Sequence, residues 1–228
     1  MVSRHANDEI LNIEMLRRSA SQLSKITRDL QEIGLSMRMV SLSPLFQKME
    51  RLVRDVSRKS NKNVRLEIHG EETEIDKSII QQLSNPLVHI LRNAIDHGIE
   101  SENERRGINK NPEGKITLEA KHKGSEIWII IKDDGAGLDR EKILQKAIEL
   151  KLLEENGAEL SDQQVWNMIF HPGFSTAKEI TDISGRGVGM DVVKKELNRL
   201  KGKIDVQSTF GQGTTFILRI PLTLAIID

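Results

Sequence analysis

Apolar positions recur in steps of three and four along the first part of the chain. Between about Asp8 and Val40 no proline interrupts a series made up of Ile13, Leu16, Ala20, Leu23, Thr27, Leu30, Gly34 and Met37. This spacing is typical of a helix that packs along one seam. It predicts one long N-terminal helix, covering residues 1–40 as a partial dimerisation-type segment. The partner of that seam is either another helix of the same domain or a second chain.

A second helix is predicted after a break at Ser41-Leu-Ser-Pro44. Ser43 is expected as the N-cap and Pro44 as the first helical residue, where a missing N–H costs nothing. The helix would run from Leu45 to about Arg58. Its buried positions are predicted to be Phe46, Met49, Leu52, Val53 and Val56.

Alternation with a period of two then predicts strands, and helical spacing recurs between them. The strands are Val64–His69, Lys115–Lys121, Glu126–Lys132, Lys203–Ser208 and Thr214–Ile220. The helices are expected at about Asp76–Asp96, Arg140–Lys151, Asp162–Ile169 and Val188–Lys201. This order favours an α+β domain over residues 41–228, with a mixed sheet and helices on one face. Residues from about 139 to 185 lack strand signals and are expected to form a partly mobile lid.

Composition excludes several kinds of function. The 228 residues are 37% hydrophobic and 30% charged, with 34 basic and 34 acidic side chains, so neither nucleic acid nor an anionic membrane is expected as a partner. No cysteine is present, which excludes disulfides and thiol catalysis. No apolar run approaches the ~20 residues of a membrane span. Met1–Ala6 lacks the apolar core of a signal peptide, so a soluble cytoplasmic protein is expected.

One predicted helix carries a polar face. His89, Asn93 and His97 are spaced by four, and Asp96 lies beside them. The carbonyl oxygen of Asn93 would suit Mg²⁺, which prefers oxygen ligands. A solvated helix face remains the plain alternative. Zinc is less favoured, because no third histidine or cysteine is near.

A second polar cluster, Asp133-Asp-Gly135-Ala-Gly137, follows the buried strand directly. The Asp133 carboxylate at a strand end can accept a hydrogen bond from an adenine amino group. Gly135 and Gly137 would let the backbone approach a flat ring. By itself, Asp-Asp-Gly is more often a plain turn.

Two further clusters lie in or beside the expected lid. In Phe170-His-Pro-Gly-Phe174, the aromatic side chains would anchor a loop, and the hydroxyls of Ser175 and Thr176 would contact phosphate. The tract formed by Gly185, Arg186, Gly187, Val188, Gly189 and Met190 leads into a helix, where free backbone N–H groups form an anion site. No strand precedes it, which argues against a Rossmann fingerprint. The Gly-Lys-Ser/Thr of a Walker loop is absent.

Taken in order, these clusters resemble the nucleotide-binding boxes of the GHKL (Bergerat-fold) ATPases. A narrower resemblance, to the kinase domain of the CheA family of chemotaxis histidine kinases, rests on HILRNAIDHGIE, DDGAGLD, PGFST, SGRGVGMDVVK and GTTFILRIPLTLAII. It runs from about Met37 to the end of the chain. The resemblance implies a two-layer sandwich of a mixed sheet and helices, preceded here by the long helix.

The same resemblance implies roles for individual residues. Asn93 would coordinate Mg²⁺ of Mg–ATP with His97 close to the metal, and Asp133 would read adenine. His89 stands where many sensor kinases have a glutamate, as the catalytic group that accepts or relays a proton. Further nucleotide contacts are implied for Asp96, Gly135, Gly137, Lys142, Ser175, Thr176, Gly185, Arg186, Gly187, Val188, Gly189, Met190 and Thr214.

Some parts of the CheA pattern are missing. No phosphotransfer motif of the H-x-x-K/R-G type occurs, so the acceptor histidine is expected on a separate domain, in trans or in a longer chain. The resemblance also implies a chemoreceptor and coupling-protein array as partner. CheA dimerises through two long helices, whereas one long helix precedes Pro44, which leaves a homodimer in doubt. The chain is expected to be a fragment or a shortened homologue.

Two functions are therefore weighed. The first is an ATP- and Mg²⁺-dependent protein-histidine kinase core. The alternative is a nucleotide-binding structural or regulatory module of a chemoreceptor array, without turnover of its own. A motor ATPase of the Hsp90 or MutL kind lacks support, because those proteins need further domains.

Overall fold

The structure is a computed structural model that describes residues 15–27, 29–30, 38–153, 160–174 and 189–222. The chain separates into two compact units, Met1–Val40 and Ser41–Asp228. In the first unit, helix α1 covers residues 15–27 and 29–30, and all of its described side chains are exposed. The predicted helix positions Ile13, Gly34 and Met37 lie outside the described residues.

The end of the long helix was predicted too far along the chain. Arg38 lies in a turn, and Met39–Ser41 form the short strand β1 instead of a helical end at Val40. The next residue, Leu42, is completely buried and donates its N–H to the Thr73 carbonyl at 3.0 Å. That tertiary hydrogen bond draws the chain away from helical geometry, which periodicity alone does not register.

Six helices follow in the described part of the second unit. They are α2 (Ser43–Lys59), α3 (Lys77–Asn93), α4 (Glu102–Gly107), α5 (Arg140–Glu149), α6 (Asp162–Asn167) and α7 (Met190–Arg199). A π-helical turn, Ala94–Gly98, extends α3, and a 3-10 turn, Met168–Phe170, extends α6. The four predicted helices after residue 64 are confirmed to within a few residues where the chain is described. The short α4 was not predicted, because six residues hold too little period to read.

The start of α2 differs from its prediction by one residue. Leu42 occupies the N-cap position without a side-chain cap, and Ser43 is already helical. The Ser43 hydroxyl donates instead to the carbonyl of Glu71, at 3.1 Å. The serine therefore ties the helix start to a neighbouring turn rather than capping its own helix.

Five strands form one mixed sheet, as predicted. They are β2 (Val64–His69), β4 (Gly114–Lys123), β5 (Glu126–Asp133), β6 (Lys203–Thr209) and β7 (Gly213–Pro221), in the order β2-β4-β5-β7-β6. The β2–β4 pair is parallel and the other three pairs are antiparallel. The three-residue strand β3 (Glu74–Asp76), which leads into α3, was not predicted.

One face of this sheet carries the core. In the central strand β5, Ile127, Ile129 and Ile131 are buried, whereas Trp128 and Ile130 between them are partly exposed. This alternation is expected where helices cover a single face. Helix α3 packs against both α2 and α7, and Asn93 at its C-terminal end contacts Met190 at the start of α7. The predicted α+β sandwich with helices on one face is confirmed.

None of the described helices combines the length and the apolar composition that a membrane span requires.

Candidate functional site

The polar face of α3 forms the first part of the site. His89 and Asn93 lie one turn apart, and the Asn93 amide nitrogen is 3.0 Å from His89 Nε2. The same nitrogen donates to the sulfur of Met190, at 3.4 Å, at the first residue of α7. Both amide hydrogens of Asn93 are thereby used. Its carbonyl oxygen has no hydrogen-bond partner among the described residues, and is free to bind a ligand.

His89 is held in its neutral form. Burial lowers the pKa of His89, and the positive charge of Arg92 lowers it further, against an opposing effect of Asp191. Since Asn93 donates to Nε2, the ring proton is assigned to Nδ1. The half-buried neutral imidazole thus lies next to a free amide oxygen, and Nε2 is the ring atom that can accept a proton.

The predicted shared face breaks down beyond Asn93. The backbone changes to the π-turn at Ala94, so Asp96 and His97 do not continue the α-helical spacing assumed from the sequence. Asp96 is exposed and accepts a hydrogen bond from the Ser60 hydroxyl at 2.8 Å, which gives it a structural contact. His97 is exposed, and its charge acts on His89.

Asp133, at the end of β5, forms the second part of the site. The residue is 4% exposed, and its Oδ1 accepts hydrogen bonds from the N–H groups of Gly135 at 3.0 Å and Thr214 at 3.2 Å. Its Oδ2 has no partner among the described residues. Burial raises the pKa of Asp133 to about 6, although both N–H donors act in the opposite direction. A poorly solvated carboxylate at the end of β5 thus keeps one oxygen available to a ligand.

Two glycines of the loop after β5 are there for steric reasons. A Cβ on Gly135 would lie 2.1 Å from the Gly98 carbonyl oxygen, so only glycine lets this loop approach the π-turn. Gly137 has φ +73° and a Cβ there would meet the Thr209 carbonyl at 2.4 Å. A Cβ on Gly98 would stand 3.6 Å from the Asp133 carboxyl group, which is ordinary van der Waals contact, so the carboxyl group itself does not require glycine there.

Lys142 lies on the first turn of α5 and points into solvent. Its side chain is 77% exposed, and its ammonium group pairs with the N-cap residue Asp139 at 3.1 Å. Phe170 and Phe174 are buried, as predicted for the residues that anchor the loop between them. Thr214 is buried, and its hydroxyl is 3.1 Å from that of Ser208.

Six predicted nucleotide-binding residues lie outside the described residues: Ser175, Thr176, Gly185, Arg186, Gly187 and Val188. Of the glycine tract only its end is described. Gly189 precedes α7, and Met190 begins it. Met190 joins the site through its contact with Asn93.

Sequence reasoning missed three contributors. Asp191, on the first turn of α7, acts on His89 through its charge. Ser208, on β6, donates its hydroxyl hydrogen to the Gly213 carbonyl at 3.0 Å and accepts the Leu138 N–H at 2.7 Å, which ties the loop after β5 to the sheet. Arg105 and its neighbours hold the same loop from the other side. No motif marks these residues, because their roles depend on which segments the fold brings together.

The residues present fit an Mg²⁺ ion that is shared with phosphates. No group of three or more His, Asp or Glu side chains within metal-binding distance occurs among the described residues, so a cage made of protein ligands alone is not offered there. Mg²⁺ usually takes only one or two protein oxygens beside nucleotide phosphates and water. The free carbonyl oxygen of Asn93 meets that need.

Comparison with known proteins agrees with this geometry. The profile of the family described as "Histidine kinase-, DNA gyrase B-, and HSP90-like ATPase" matches residues 82–224. The chemotaxis protein CheA of Rhizobium meliloti is 49% identical over 91% of this chain. CheA of Bacillus subtilis is 47% identical over 93% of it. The chain spans only 27% and 32% of these two relatives.

Solved structures share the fold. The catalytic domain of the histidine kinase ThkA superposes with a TM-score of 0.52 and 19% identity, over 81% of this chain and 95% of that one. At this identity the likeness concerns the fold alone. The family profile covers both parts of the site, from α3 through β5 to β7. This chain belongs to the family of histidine kinase-, DNA gyrase B- and HSP90-like ATPases.

Proposed function

We propose that this chain is an ATP- and Mg²⁺-dependent protein-histidine kinase core of the CheA type. It would transfer the γ-phosphoryl group of ATP to a histidine on a separate phosphotransfer domain. The observation that carries the proposal is the His89–Asn93 pair, in which a neutral imidazole and a free amide oxygen lie side by side. The relatives named as chemotaxis proteins and a sensor histidine kinase support this choice.

Each part of the site has a task in this proposal. The free Oδ2 of Asp133 accepts a hydrogen bond from the adenine amino group. The Asn93 carbonyl oxygen would hold the metal. The exposed His97 would lie close to the metal and the phosphates. The glycine tract that leads into α7 would cradle phosphates with Ser175 and Thr176, and Lys142 would reach them from α5. When bound, the metal would supply positive charge against the negative charge that develops on the transferred phosphoryl group.

In this proposal His89 is the proton acceptor of the phosphoryl transfer. When a neutral acceptor imidazole attacks the γ-phosphorus, the bond to the β–γ bridging oxygen breaks and ADP leaves. The phosphorylated ring must then lose a proton, which His89 can accept at Nε2 once that atom gives up its hydrogen bond from the Asn93 amide. Positioning and electrostatics still supply most of the rate.

A phosphotransfer assay tests the proposal. The chain is mixed with a CheA-type phosphotransfer domain and ATP labelled at the γ-phosphate, and acid-labile phosphohistidine is measured. We expect label on the added domain, at least tenfold less with His89→Gln, and no change with His122→Gln, which alters an exposed histidine on β4. ATP binding without any label transfer would contradict the kinase proposal.

The alternative is a nucleotide-binding module with a structural or regulatory role in a chemoreceptor array. One observation favours it: helix α1 exposes the large apolar side chains Met15, Leu16, Leu23, Ile26 and Leu30, as an assembly surface would. In that case the chain would bind ATP without transferring label to the added domain, and His89→Gln would leave that result unchanged. The assay above therefore separates the two functions.

A further inference from the structure

A fully buried arginine stands behind the loop that follows β5. Arg105, on α4, is 1% exposed. Its guanidinium donates to Asp134 Oδ2 at 2.7 Å, Glu100 Oε2 at 2.9 Å and the Asn111 carbonyl at 2.6 Å. A longer bond, of 3.3 Å, reaches the Asp134 carbonyl. A buried charge is tolerated only when it is paired and hydrogen-bonded, and this one is.

The side chain of Lys110 holds the same loop through the backbone carbonyls of that loop. Lys110, whose side chain is 18% exposed, donates to the carbonyls of Asp134 at 2.9 Å and Gly135 at 2.7 Å. Its third bond goes to Glu100 Oε1 at 2.7 Å, so Glu100 bridges the lysine and Arg105. Asp134 is further fixed by the Lys115 N–H, which donates to Oδ1 at 2.9 Å. Both carboxylate oxygens and the carbonyl of Asp134 are thus occupied.

The loop that Arg105 and Lys110 hold also supplies a hydrogen bond to Asp133. The Gly135 N–H is one of only two donors that orient the Asp133 carboxylate among the described residues, and the other comes from Thr214 on β7. Thr214 is fixed by the sheet. Gly135 is fixed by Lys110, and by the Gly98 carbonyl, which accepts the neighbouring Ala136 N–H at 2.8 Å.

We propose that Arg105 and Lys110 are positioning residues for nucleotide selection. They hold Asp134 and Gly135 so that the free oxygen of Asp133 points at the exocyclic amino group of the purine. This rests on the proposed function, in which Asp133 reads adenine. The hydrogen bonds of Arg105 and Lys110 go to Glu100, Asn111, Asp134 and Gly135, next to Asp133, so the two side chains act on recognition of the base.

Electrostatics support the same assignment. The negative charges that act on Asp133 from its surroundings are those of Asp134 and Glu100, and each raises the pKa of Asp133. Arg105 and Lys110 are in direct contact with these two carboxylates. Without the cations, the unbalanced charge would disfavour ionised Asp133, the form that accepts from an amino group.

The test compares ATP with ITP, in which a carbonyl replaces the 6-amino group. Dissociation constants for both are measured by calorimetry with Mg²⁺, on the full chain and on the variants Lys110→Met and Arg105→Lys. We expect the preference for ATP over ITP to fall at least fivefold in both, with ITP affinity changed less than twofold. The control is Arg106→Met, also on α4, whose 63% exposed side chain pairs only with Glu102 in the described part of the chain. It should keep the full preference.

The outcomes are separable. A thermal melt first establishes that each variant is folded; Lys110→Met removes a partly exposed charge and keeps the test available if Arg105→Lys does not fold. A folded Lys110→Met with an unchanged ATP preference overturns the proposal, and so does an equal loss of ATP and ITP affinity. If the unmodified chain itself shows no preference for ATP, the proposed function fails instead.

Discussion

At the scale of single residues, Asp133 combines a role in binding with a cost in stability. Its pKa in the folded chain is about 6, against an ordinary value of 3.8. Below pH 4 the group is protonated in both the folded and the unfolded state, so it has no effect. Above pH 6 the unfolded state carries a well-solvated carboxylate, whereas the folded state must bury one. Stability from this group is therefore lost as the pH rises through 6.

Asp133→Asn should stabilise the protein without nucleotide and reverse its preference for the base. At pH 8 we expect the free energy of unfolding to rise by about 2–3 kcal/mol, from a shift of roughly two pKa units, and the gain to vanish near pH 4. The asparagine oxygen can still accept from Gly135 and Thr214, while its NH₂ would face the base and favour ITP over ATP. Urea unfolding at both pH values and calorimetry check these results. Equal gains at pH 8 and pH 4 would contradict the burial argument.

The pH dependence of ATP binding follows from the same carboxylate. Protonation of Asp133 removes the acceptor for the adenine amino group, so affinity should fall about tenfold per unit below pH 6. Nucleotide phosphates titrate in the same range. The measured quantity is therefore the ratio of ATP affinity in the unmodified chain to that in Asp133→Asn, since the phosphate effect cancels. A ratio independent of pH between 5 and 8 would rule out this role.

At the scale of elements, the π-turn that ends α3 depends on one lysine. Lys62, between α2 and β2, donates to the carbonyls of Ile95 at 2.7 Å, Asp96 at 2.8 Å and Ile99 at 2.7 Å. Burial lowers the pKa of Lys62, and the charge of Asp96 opposes this. The last carbonyls of a helix have no N–H donors within the helix, and here the Lys62 ammonium group donates to them instead.

Lys62→Met should destabilise the fold by about 2–4 kcal/mol, because it leaves partly buried carbonyls without donors. Lys62→Arg should not restore stability, since a planar guanidinium does not match three converging acceptors. Urea unfolding measures both. Lys48→Met is the matched control: it removes one exposed bond, of 2.8 Å to the Ser84 hydroxyl, and should change stability by less than about 0.5 kcal/mol. Equal losses for the two lysines would show that the carbonyl contacts do not matter.

The elements also show how far a sequence can be read. Strand β5 and helix α3 follow from periodicity, because burial on one side imposes an alternation that a single sequence retains. The π-turn does not, since it arises from contacts of Ala94–Gly98 with Lys62 and with the loop after β5. The sequence likewise places Asp96 beside His89 and Asn93 but does not show that its carboxylate accepts a hydrogen bond from the Ser60 hydroxyl. The motif residues can be identified from the sequence alone. The hydrogen-bond network around Arg105 cannot, because it depends on which segments the fold brings together.

At the scale of the whole molecule, the unit formed by Met1–Val40 exposes an apolar stripe. Leu16, Leu23 and Leu30 on α1 are spaced by seven and are 69%, 65% and 64% exposed. Single exposed leucines are ordinary, but leucines repeated every seven residues are typical of the seam of a coiled coil. Each leucine that a second helix covered would contribute about 1.5–3 kcal/mol. A second copy of the same helix offers a complementary stripe.

We therefore expect the chain to self-associate through α1. Light scattering coupled to size exclusion should show a dimer whose fraction grows with protein concentration. Leu23→Glu should shift the chain to monomer, because it places a charge in the middle of the seam. Gln22→Glu introduces the same charge one residue away, off the stripe, and should leave the dimer intact. A monomer at every concentration, or a dimer that survives Leu23→Glu, would mean that the stripe serves another partner. Since dimer formation depends on α1 and base recognition on Asp133, Leu23→Glu should leave the affinity for ATP unchanged.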